Sequence, residues 1–106
     1  MRVTGQYSWS RTFAGKQALL RDLYGHLRSL TQEPRKTIPI RFIADKDHVV
    51  VEARGEMTRK DGVRYDNEYC LVFKLANGKI VEMREYQDSA LCERILGQFP
   101  APQTAS

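Results

Sequence analysis

The sequence has only two cysteines, no long apolar run and no block of charge of one sign. Cys70 and Cys92 do not have the spacing of metal ligands, and no Cys-x-x-Cys motif is present, so we expect no metal site and two free thiols. No apolar stretch approaches the roughly 20 residues of a transmembrane helix. Residues 1–10 also lack the basic-then-apolar order of a signal peptide. We therefore expect a cytoplasmic protein without a membrane partner.

The positive charge is spread along the chain. The formal net charge of +4 comes from 17 lysines and arginines against 13 aspartates and glutamates, without a contiguous basic stripe. Nucleic acid is therefore the last partner we expect. A chain of 106 residues is long enough for one core but too short for two. Pro100 and Pro102 near the end predict a single domain of residues 1–98 followed by a flexible tail of residues 99–106.

The clearest pattern lies in residues 63–88. Apolar or aromatic residues alternate with charged and smaller ones from residue 65 to residue 75, with the period of two that is typical of a strand with one buried face. Asn77 and Gly78 then supply a two-residue turn whose residues tolerate positive φ, and alternation resumes in residues 79–87. The pattern predicts a long β-hairpin.

The predicted buried face of this hairpin carries polar side chains. Asn67, Tyr69 and Glu85 share it with the apolar residues Leu71, Phe73, Val81 and Met83. An unpaired buried polar group costs roughly 1–3 kcal/mol, so these groups need partners. Either they bond to one another in a filled core, or they line a cavity, which for a ligand requires a volume of roughly 300 Å³ or more.

The remaining chain predicts one covering helix and further strands. Leucines recur at helical spacing over residues 16–30, and residues 33–36, which include Pro34, break that helix. Residues 37–44 and 48–58 have the composition of strands, the first of them an edge strand because of Pro39. Asp88 is a suitable N-cap for a short helix over residues 89–96 that Gly97 ends. This order predicts an α+β fold in which a curved antiparallel sheet wraps around an amphipathic helix.

These residues resemble a known family. The runs GVRYDNEYCLVFKLANGKIVEMREYQDSAL and GKQALLRDLYGHL are similar to the nuclear transport factor 2-like superfamily, and within it to SnoaL-like and ketosteroid-isomerase-like proteins. The resemblance implies a cone-shaped α+β barrel with an apolar pocket, and a homodimer formed through the sheet. Members of the superfamily usually begin with a long helix and a second short one that have no counterpart here. The tyrosine and aspartate of ketosteroid isomerases lie in or soon after that region, so no residue here inherits their roles.

The resemblance also suggests catalytic positions. The limonene-epoxide-hydrolase branch uses two aspartates and an arginine to activate water, and Glu85 and Glu52 fall at or near its two acidic positions. Val50 stands where the arginine would be, so that triad is incomplete. Plain alternation places Glu52 on the outer face of its strand, and only the resemblance or a β-bulge places it inside.

Glu85 is the first candidate for a catalytic residue and Glu52 a weaker second. Burial on an apolar face raises the pKa of a carboxyl group toward the range of a general acid or base, although a structural pairing of Glu85 with Arg54 or Tyr69 explains the pattern equally well. The expected substrate-binding residues are Asn67, Tyr69, Leu71, Phe73, Met83 and Trp9. We expect no metal or organic cofactor.

Two functions remain open at this point. The first is a pocket for a small hydrophobic molecule with a polar group, in an isomerase, cyclase or epoxide-hydrolase-like enzyme that uses general acid/base chemistry. The second is a non-catalytic ligand-binding or dimerisation module of the same fold. In its dimerisation form, Asn67, Tyr69 and Glu85 satisfy one another and no ligand cavity exists.

Overall fold

A mixed sheet covered at one end by helices forms the molecule. The structure is a computed structural model, and it describes residues 1–100 of the chain. In chain order the elements are β1 (Arg2–Val3), β2 (Arg11–Thr12), α1 (Gly15–Ala18), a π-helical segment (Leu19–Tyr24), α2 (Gly25–Leu30), β3 (Thr31–Asp45), β4 (His48–Arg59), β5 (Arg64–Tyr65), β6 (Glu68–Ala76), β7 (Lys79–Gln87) and α3 (Ser89–Leu96).

The sheet has seven strands, six of which follow the order β2-β1-β7-β6-β4-β3, while β5 pairs with β4. All neighbours are antiparallel except β1 and β7, which run parallel. The predicted α+β class with a curved sheet is confirmed. The sheet is not closed into a barrel, and the N-terminal strand makes it mixed rather than purely antiparallel.

The predicted helix over residues 16–30 is confirmed. Helical structure runs from Gly15 to Leu30, and its middle part is π-helical. The next strand begins at Thr31, six residues earlier than predicted, because Thr31 already pairs with Arg59. The segment around Pro34 is an irregularity in the register of β3, between Gln32 and Lys36, rather than a separate connection.

The predicted hairpin is confirmed as β6 and β7. Its turn residues Asn77 and Gly78 have φ angles of 53° and 73°, in the left-handed region that the Asn-Gly pair predicted. Asp88 caps α3, since its carboxylate accepts a hydrogen bond from the backbone N–H of Leu91 at 3.0 Å. Gly97, with a φ angle of 79°, ends the helix as expected.

The core lies between the helices, the N-terminal segment and the near end of the sheet. Its buried residues are Val3, Trp9, Phe13, Leu23, Met57, Tyr65, Cys92, Leu96 and Phe99. Phe99, the first residue of the predicted tail, belongs to this core, because its side chain is only 7% exposed, and the division of the chain at residue 98 stays a prediction. The remainder of the predicted tail, residues 101–106, lies outside the described residues.

The far end of the sheet extends beyond the helices. Phe42 on β3 is 67% exposed, and Ile80 on β7 is 60% exposed. Only the part of the inner face that the helices cover therefore forms a wall of the core. Among residues 1–100, no helix is long and apolar enough to cross a membrane.

Candidate functional site

A cavity lies where the covered end of the sheet meets the helices. Its volume is about 120 Å³, which is smaller than the roughly 300 Å³ expected for a site that holds a drug-sized ligand. The side chains that line it come from the N-terminal segment, the helices and five strands. They are Trp9, Leu23, Tyr24, Leu27, Thr37, Met57, Tyr65, Tyr69, Leu71, Met83, Glu85, Gln87, Cys92 and Leu96.

Glu85 brings a carboxyl group into this cavity. It lies on the inner face of β7, opposite Leu71 of β6. On the other side, β1 holds its backbone, because the N–H and the hydroxyl of Thr4 both donate to the Glu85 carbonyl at 3.0 Å. Within residues 1–100, the Glu85 carboxylate takes part in no salt bridge and accepts no hydrogen bond. The alternative of an ion pair with Arg54 is not met, because Arg54 is exposed and lies 3.9 Å from Glu56.

Burial raises the pKa of the Glu85 carboxyl group to about 7, because desolvation penalises its charged form and no cation compensates for it. The pKa values of the surrounding tyrosine hydroxyl groups are raised as well. Burial, with the Glu85 charge as a further cause, raises the pKa of Tyr7 to about 12 and raises those of Tyr24 and Tyr69 above their ordinary value. At neutral pH the site therefore contains one carboxyl group near its midpoint and several protonated tyrosines.

Gly55 determines how Tyr69 lies in the cavity. The two residues sit on the paired strands β4 and β6, and a Cβ atom built on Gly55 would lie 2.8 Å from Cε2 of the Tyr69 ring. Only a glycine leaves room for the aromatic ring at that point of the strand. The sequence analysis did not identify Gly55, although a glycine inside an otherwise β-branched strand is a recognisable signal of close approach.

Asn67 does not face the cavity, contrary to the alternative in which it lines a site for a ligand. It is fully buried, and its Nδ2 donates to the Tyr65 hydroxyl at 2.7 Å, the Gln87 Oε1 at 3.3 Å and the Asp88 carbonyl at 3.1 Å. Its Oδ1 accepts the backbone N–H groups of Glu68 and Asp88 at 2.7 and 3.1 Å. Every hydrogen-bonding position of the amide is used, so Asn67 joins the start of β6 to the end of β7 instead of binding a ligand.

Two further expected site residues lie elsewhere. Glu52 pairs with Cys70 across the sheet and points to the outer face, where Arg41 donates to its carboxylate at 3.2 Å. Plain alternation therefore holds, and the position implied by the resemblance does not. Phe73 is on the inner face opposite Met83, and of this pair Met83 lines the cavity whereas Phe73 does not.

Trp9 lines the cavity and also anchors the end of the chain. Its Nε1 donates to the Gly97 carbonyl at 2.8 Å, and its ring lies 4.8 Å from the ring of Phe99. The His26 ring lies 5.1 Å from the ring of Phe99, and its Nε2 is buried without a hydrogen-bond partner among residues 1–100. Burial lowers the pKa of His26, so the ring is neutral at neutral pH.

The sequence analysis missed two polar residues that complete the wall. Gln87 accepts from the Tyr65 hydroxyl at 3.2 Å and donates through Nε2 to the Tyr7 hydroxyl at 2.7 Å. Cys92 on α3 is buried beside them, and burial raises the pKa of its thiol to about 11. Gln87 follows Met83 and Glu85 at the alternate positions of β7, so alternation was a signal for it, whereas the positions of Tyr7 and Cys92 depend on how distant segments pack.

The arrangement can exchange one proton with a bound molecule. Glu85 supplies a carboxyl group that is partly ionised at neutral pH, and Tyr69 supplies a protonated hydroxyl. Within residues 1–100, no three His, Cys, Asp or Glu side chains lie close enough together to hold a metal ion.

The fold and this site can now be compared with known proteins. The sequence pattern of the SnoaL-like domain matches residues 3–83, which is more than half of the chain. The chain belongs to the SnoaL-like family. This family lies in the nuclear transport factor 2-like superfamily, so the resemblance seen in the hairpin is confirmed. No curated protein matches the sequence.

Solved structures with the same fold are distant in sequence. A nuclear transport factor 2-like protein of unknown function from Burkholderia pseudomallei has a TM-score of 0.73 at 20% identity, over 85% of this chain and 67% of that one. A similar protein from Burkholderia thailandensis has a TM-score of 0.77 at 16% identity, over 90% and 73%. A protein from a Jannaschia species, provisionally assigned as a SnoaL-like polyketide cyclase, has a TM-score of 0.55 at 23% identity, over 62% and 51%. At these identities the likeness shows the fold.

Proposed function

We propose that this SnoaL-like protein is a cofactor-free enzyme of the isomerase or cyclase type, in which Glu85 moves a proton on a small substrate. The observation that carries this proposal is the Glu85 carboxyl group, which faces a cavity, has no partner among residues 1–100 and has a pKa near 7. A general acid or base works best when its pKa lies near the operating pH. The provisional cyclase assignment of the Jannaschia protein is consistent with such chemistry.

Tyr69 is the second group in this proposal. Its ring lines the cavity, and its raised pKa keeps the hydroxyl protonated at neutral pH. A protonated hydroxyl can donate a hydrogen bond to a carbonyl oxygen on which negative charge develops after Glu85 removes a proton. Gly55 keeps the ring in place, and Leu71, Met83 and Trp9 provide apolar contacts to the remainder of the substrate.

The size of the cavity limits the substrate. A cavity of about 150 Å³ in another protein accepts benzene, so the volume of about 120 Å³ corresponds to a molecule with a single small ring. An epoxide-hydrolase mechanism is not part of the proposal, because Glu52 lies on the outer face and leaves Glu85 as the only carboxylate in the cavity.

The alternative remains a non-catalytic module. It is favoured by one observation, the complete set of hydrogen bonds around Asn67, which belongs to the core, although its partners are not the Tyr69 and Glu85 side chains that this alternative expected. Glu85 is not part of that set, and the core beside it is not filled. For this reason we place the enzymatic proposal first.

Proton exchange on a small ketone tests the proposal directly. The protein is incubated with cyclopentanone in heavy water, and loss of the α-proton signals is followed by NMR. We expect exchange faster than in buffer alone, with a rate that rises with pH through about 7, because the base is the ionised Glu85.

Variants decide whether Glu85 is responsible. Glu85→Gln should reduce the exchange rate at least about 100-fold. The matched control is Glu82→Gln, which removes an exposed carboxylate on the same strand, and it should leave the rate unchanged. Exchange no faster than in buffer, or a rate that survives in Glu85→Gln, would contradict the proposal.

We also propose a homodimer formed through the outer face of the sheet. Ile43, Val50 and Val72 lie side by side there on three neighbouring strands, and Ile43 is 51% exposed. Arg64 bonds to Asp66 of its own chain at 2.8 Å. Light scattering should give twice the monomer mass, and Ile43→Lys should give the monomer mass.

A cytoplasmic location stays a prediction.

A further inference from the structure

The cavity has an unusual balance of charge. Among the residues of the described part of the chain, 1–100, that line the cavity, Glu85 is the only one with an acidic or basic side chain that ionises near neutral pH, and none is lysine, arginine or histidine. A carboxylate in this position has no positive group to neutralise it. An anionic ligand would add a second negative charge to a desolvated space, which is strongly unfavourable.

The other groups that face Glu85 are neutral. They come from the N-terminal segment, the π-helical segment, two strands and α3, and burial raises the pKa of each. These residues are Tyr7, Tyr24, Tyr65, Tyr69 and Cys92. The charged side chains on these elements have other partners or are exposed: Glu93 on α3 accepts from the backbone N–H and the hydroxyl of Ser8 at 2.9 and 2.7 Å, and Arg21 and Asp22 pair with each other at 2.8 Å. Among residues 1–100, no salt bridge joins Glu85 to a positive group.

Aromatic rings form much of the wall. Trp9, Tyr24, Tyr65 and Tyr69 all line the cavity. The face of an aromatic ring is negative, and it attracts a cation within about 6 Å of its centre, most strongly when water is excluded. A lone carboxylate among aromatic rings is therefore suited to a positively charged group that carries a small apolar body.

We propose that the cavity takes a small organic cation, a protonated amine on a single apolar ring, with its ammonium group against the Glu85 carboxylate and its ring against the aromatic walls. The inference rests on the proposed function only in that a ligand must reach Glu85. It does not require turnover. Because folding has already removed part of the Glu85 side chain from water, the ligand supplies the missing countercharge at a reduced cost of desolvation for the carboxylate.

Three ligands of equal shape test the proposal. Cyclopentylamine is a cation at pH 8.5, cyclopentanol is neutral and cyclopentanecarboxylate is an anion. Binding to the full chain is measured by the fluorescence of Trp9, the single tryptophan in the sequence, and by NMR shifts. We expect the amine to bind at least about tenfold more tightly than the alcohol, and the carboxylate not to bind.

The pH dependence and a variant assign the effect to Glu85. Amine affinity should fall about tenfold or more between pH 8.5 and 5.5, because the carboxylate that attracts the cation is protonated over that range. Glu85→Gln should reduce the affinity for the amine to that for the alcohol and leave the alcohol unchanged. Glu82→Gln should change neither.

Other outcomes overturn the inference and separate it from the proposed function. If the alcohol binds as tightly as the amine, or if the preference for the amine survives in Glu85→Gln, the cation proposal is wrong. The same holds if none of the three ligands binds. Ketone exchange that depends on Glu85 in a protein that shows no preference for the amine would leave the proposed function standing and remove only the cation.

Discussion

The ring of Tyr69 lies against the backbone of Gly55, at a distance that leaves no room for a side chain on the glycine. A Cβ atom there would be 2.8 Å from Tyr69 Cε2 and 3.1 Å from the tyrosine oxygen. The two strands that pair at this point therefore determine where a hydroxyl donor stands in the cavity. Adding a single methyl group at Gly55 therefore tests whether this contact holds the Tyr69 ring in place.

Gly55→Ala should displace the Tyr69 ring. We expect a loss of about 1–3 kcal/mol in the free energy of unfolding, as for other overpacked sites. The rate of ketone exchange should fall at least about tenfold, because the donor moves by more than the tolerance of a catalytic hydrogen bond. Urea denaturation and the NMR exchange assay measure the two effects.

Gly25→Ala is the matched control for this change. A Cβ atom at Gly25 lies 3.6 Å from its nearest neighbour, in ordinary contact, and the residue is helical. The control should be neutral or stabilising by up to about 1 kcal/mol, with unchanged exchange. An alanine at position 55 that behaves like the one at position 25 would show that Tyr69 is free to move.

Phe99→Ala should destabilise the protein by about 3–5 kcal/mol. The ring packs on Trp9 at 4.8 Å between centroids, and the guanidinium carbon of Arg11 lies 4.0 Å from its centre. Phe42→Ala is the comparison, because that ring is 67% exposed, and it should change the free energy of unfolding by less than about 0.5 kcal/mol. Equal effects of the two substitutions would mean that Phe99 does not belong to the core.

Asn67→Ala should cost about 3 kcal/mol, because it leaves the backbone N–H groups of Glu68 and Asp88 without their partner in the core. Gln32→Ala removes an amide that makes one exposed hydrogen bond to the Arg59 carbonyl, and it should cost less than about 0.5 kcal/mol. Thermal and urea unfolding measure both. A small cost at Asn67 would argue that its amide is available to a ligand after all.

The local patterns of the sequence were sufficient for the main elements of the fold. The alternation in residues 68–87, the Asn-Gly turn and the Asp88 cap all describe interactions within a few residues, and the structure has each of them. The first residues of the predicted hairpin differ, because Arg64 and Tyr65 form β5 and pair with β4 instead of β7. The parallel pairing of β1 with β7 joins residues about 80 apart and has no local signal. The same is true of Phe99, whose two neighbouring prolines suggested a loose end.

The candidate site was predictable only in part. Alternation placed Glu85, Tyr69, Leu71 and Met83 on one face, and all four line the cavity. Asn67 is on the same face, but its amide is fully hydrogen-bonded to the backbone at the end of β7. Alternation alone could not show this, because these bonds depend on where the two strands diverge. For Glu52, alternation correctly predicted the outer face of the strand, whereas the family resemblance placed this residue in the pocket.

The partly buried carboxyl group of Glu85 should make the protein less stable as the pH rises. Its pKa is about 7 in the folded protein against 4.5 for the ordinary group, so between these values the folded state binds more protons than the unfolded state. The free energy of unfolding from this group therefore falls from about pH 4.5 to about pH 7 and then levels off, with a total loss of up to about 3 kcal/mol.

Glu85→Gln should remove this dependence. At pH 8.5 the variant should be more stable than the wild type, by up to about 3 kcal/mol, and the two should converge near pH 4.5. Urea denaturation across this range measures the difference, with Glu82→Gln as the exposed control. A variant that is less stable than the wild type at every pH would instead mark Glu85 as part of a structural hydrogen-bond network.

The titration of the Glu85 carboxyl carbon, followed by NMR in protein labelled with carbon-13 on glutamate, tests the central claim most directly. The resonance is assigned by its absence from Glu85→Gln. The account predicts a midpoint near pH 7 in the free protein, because the carboxyl group faces the cavity without a countercharge. A midpoint at or below about 4.5, the ordinary value for glutamate, would show that Glu85 is solvated or paired, and would contradict both its role in proton transfer and its role in binding a cation.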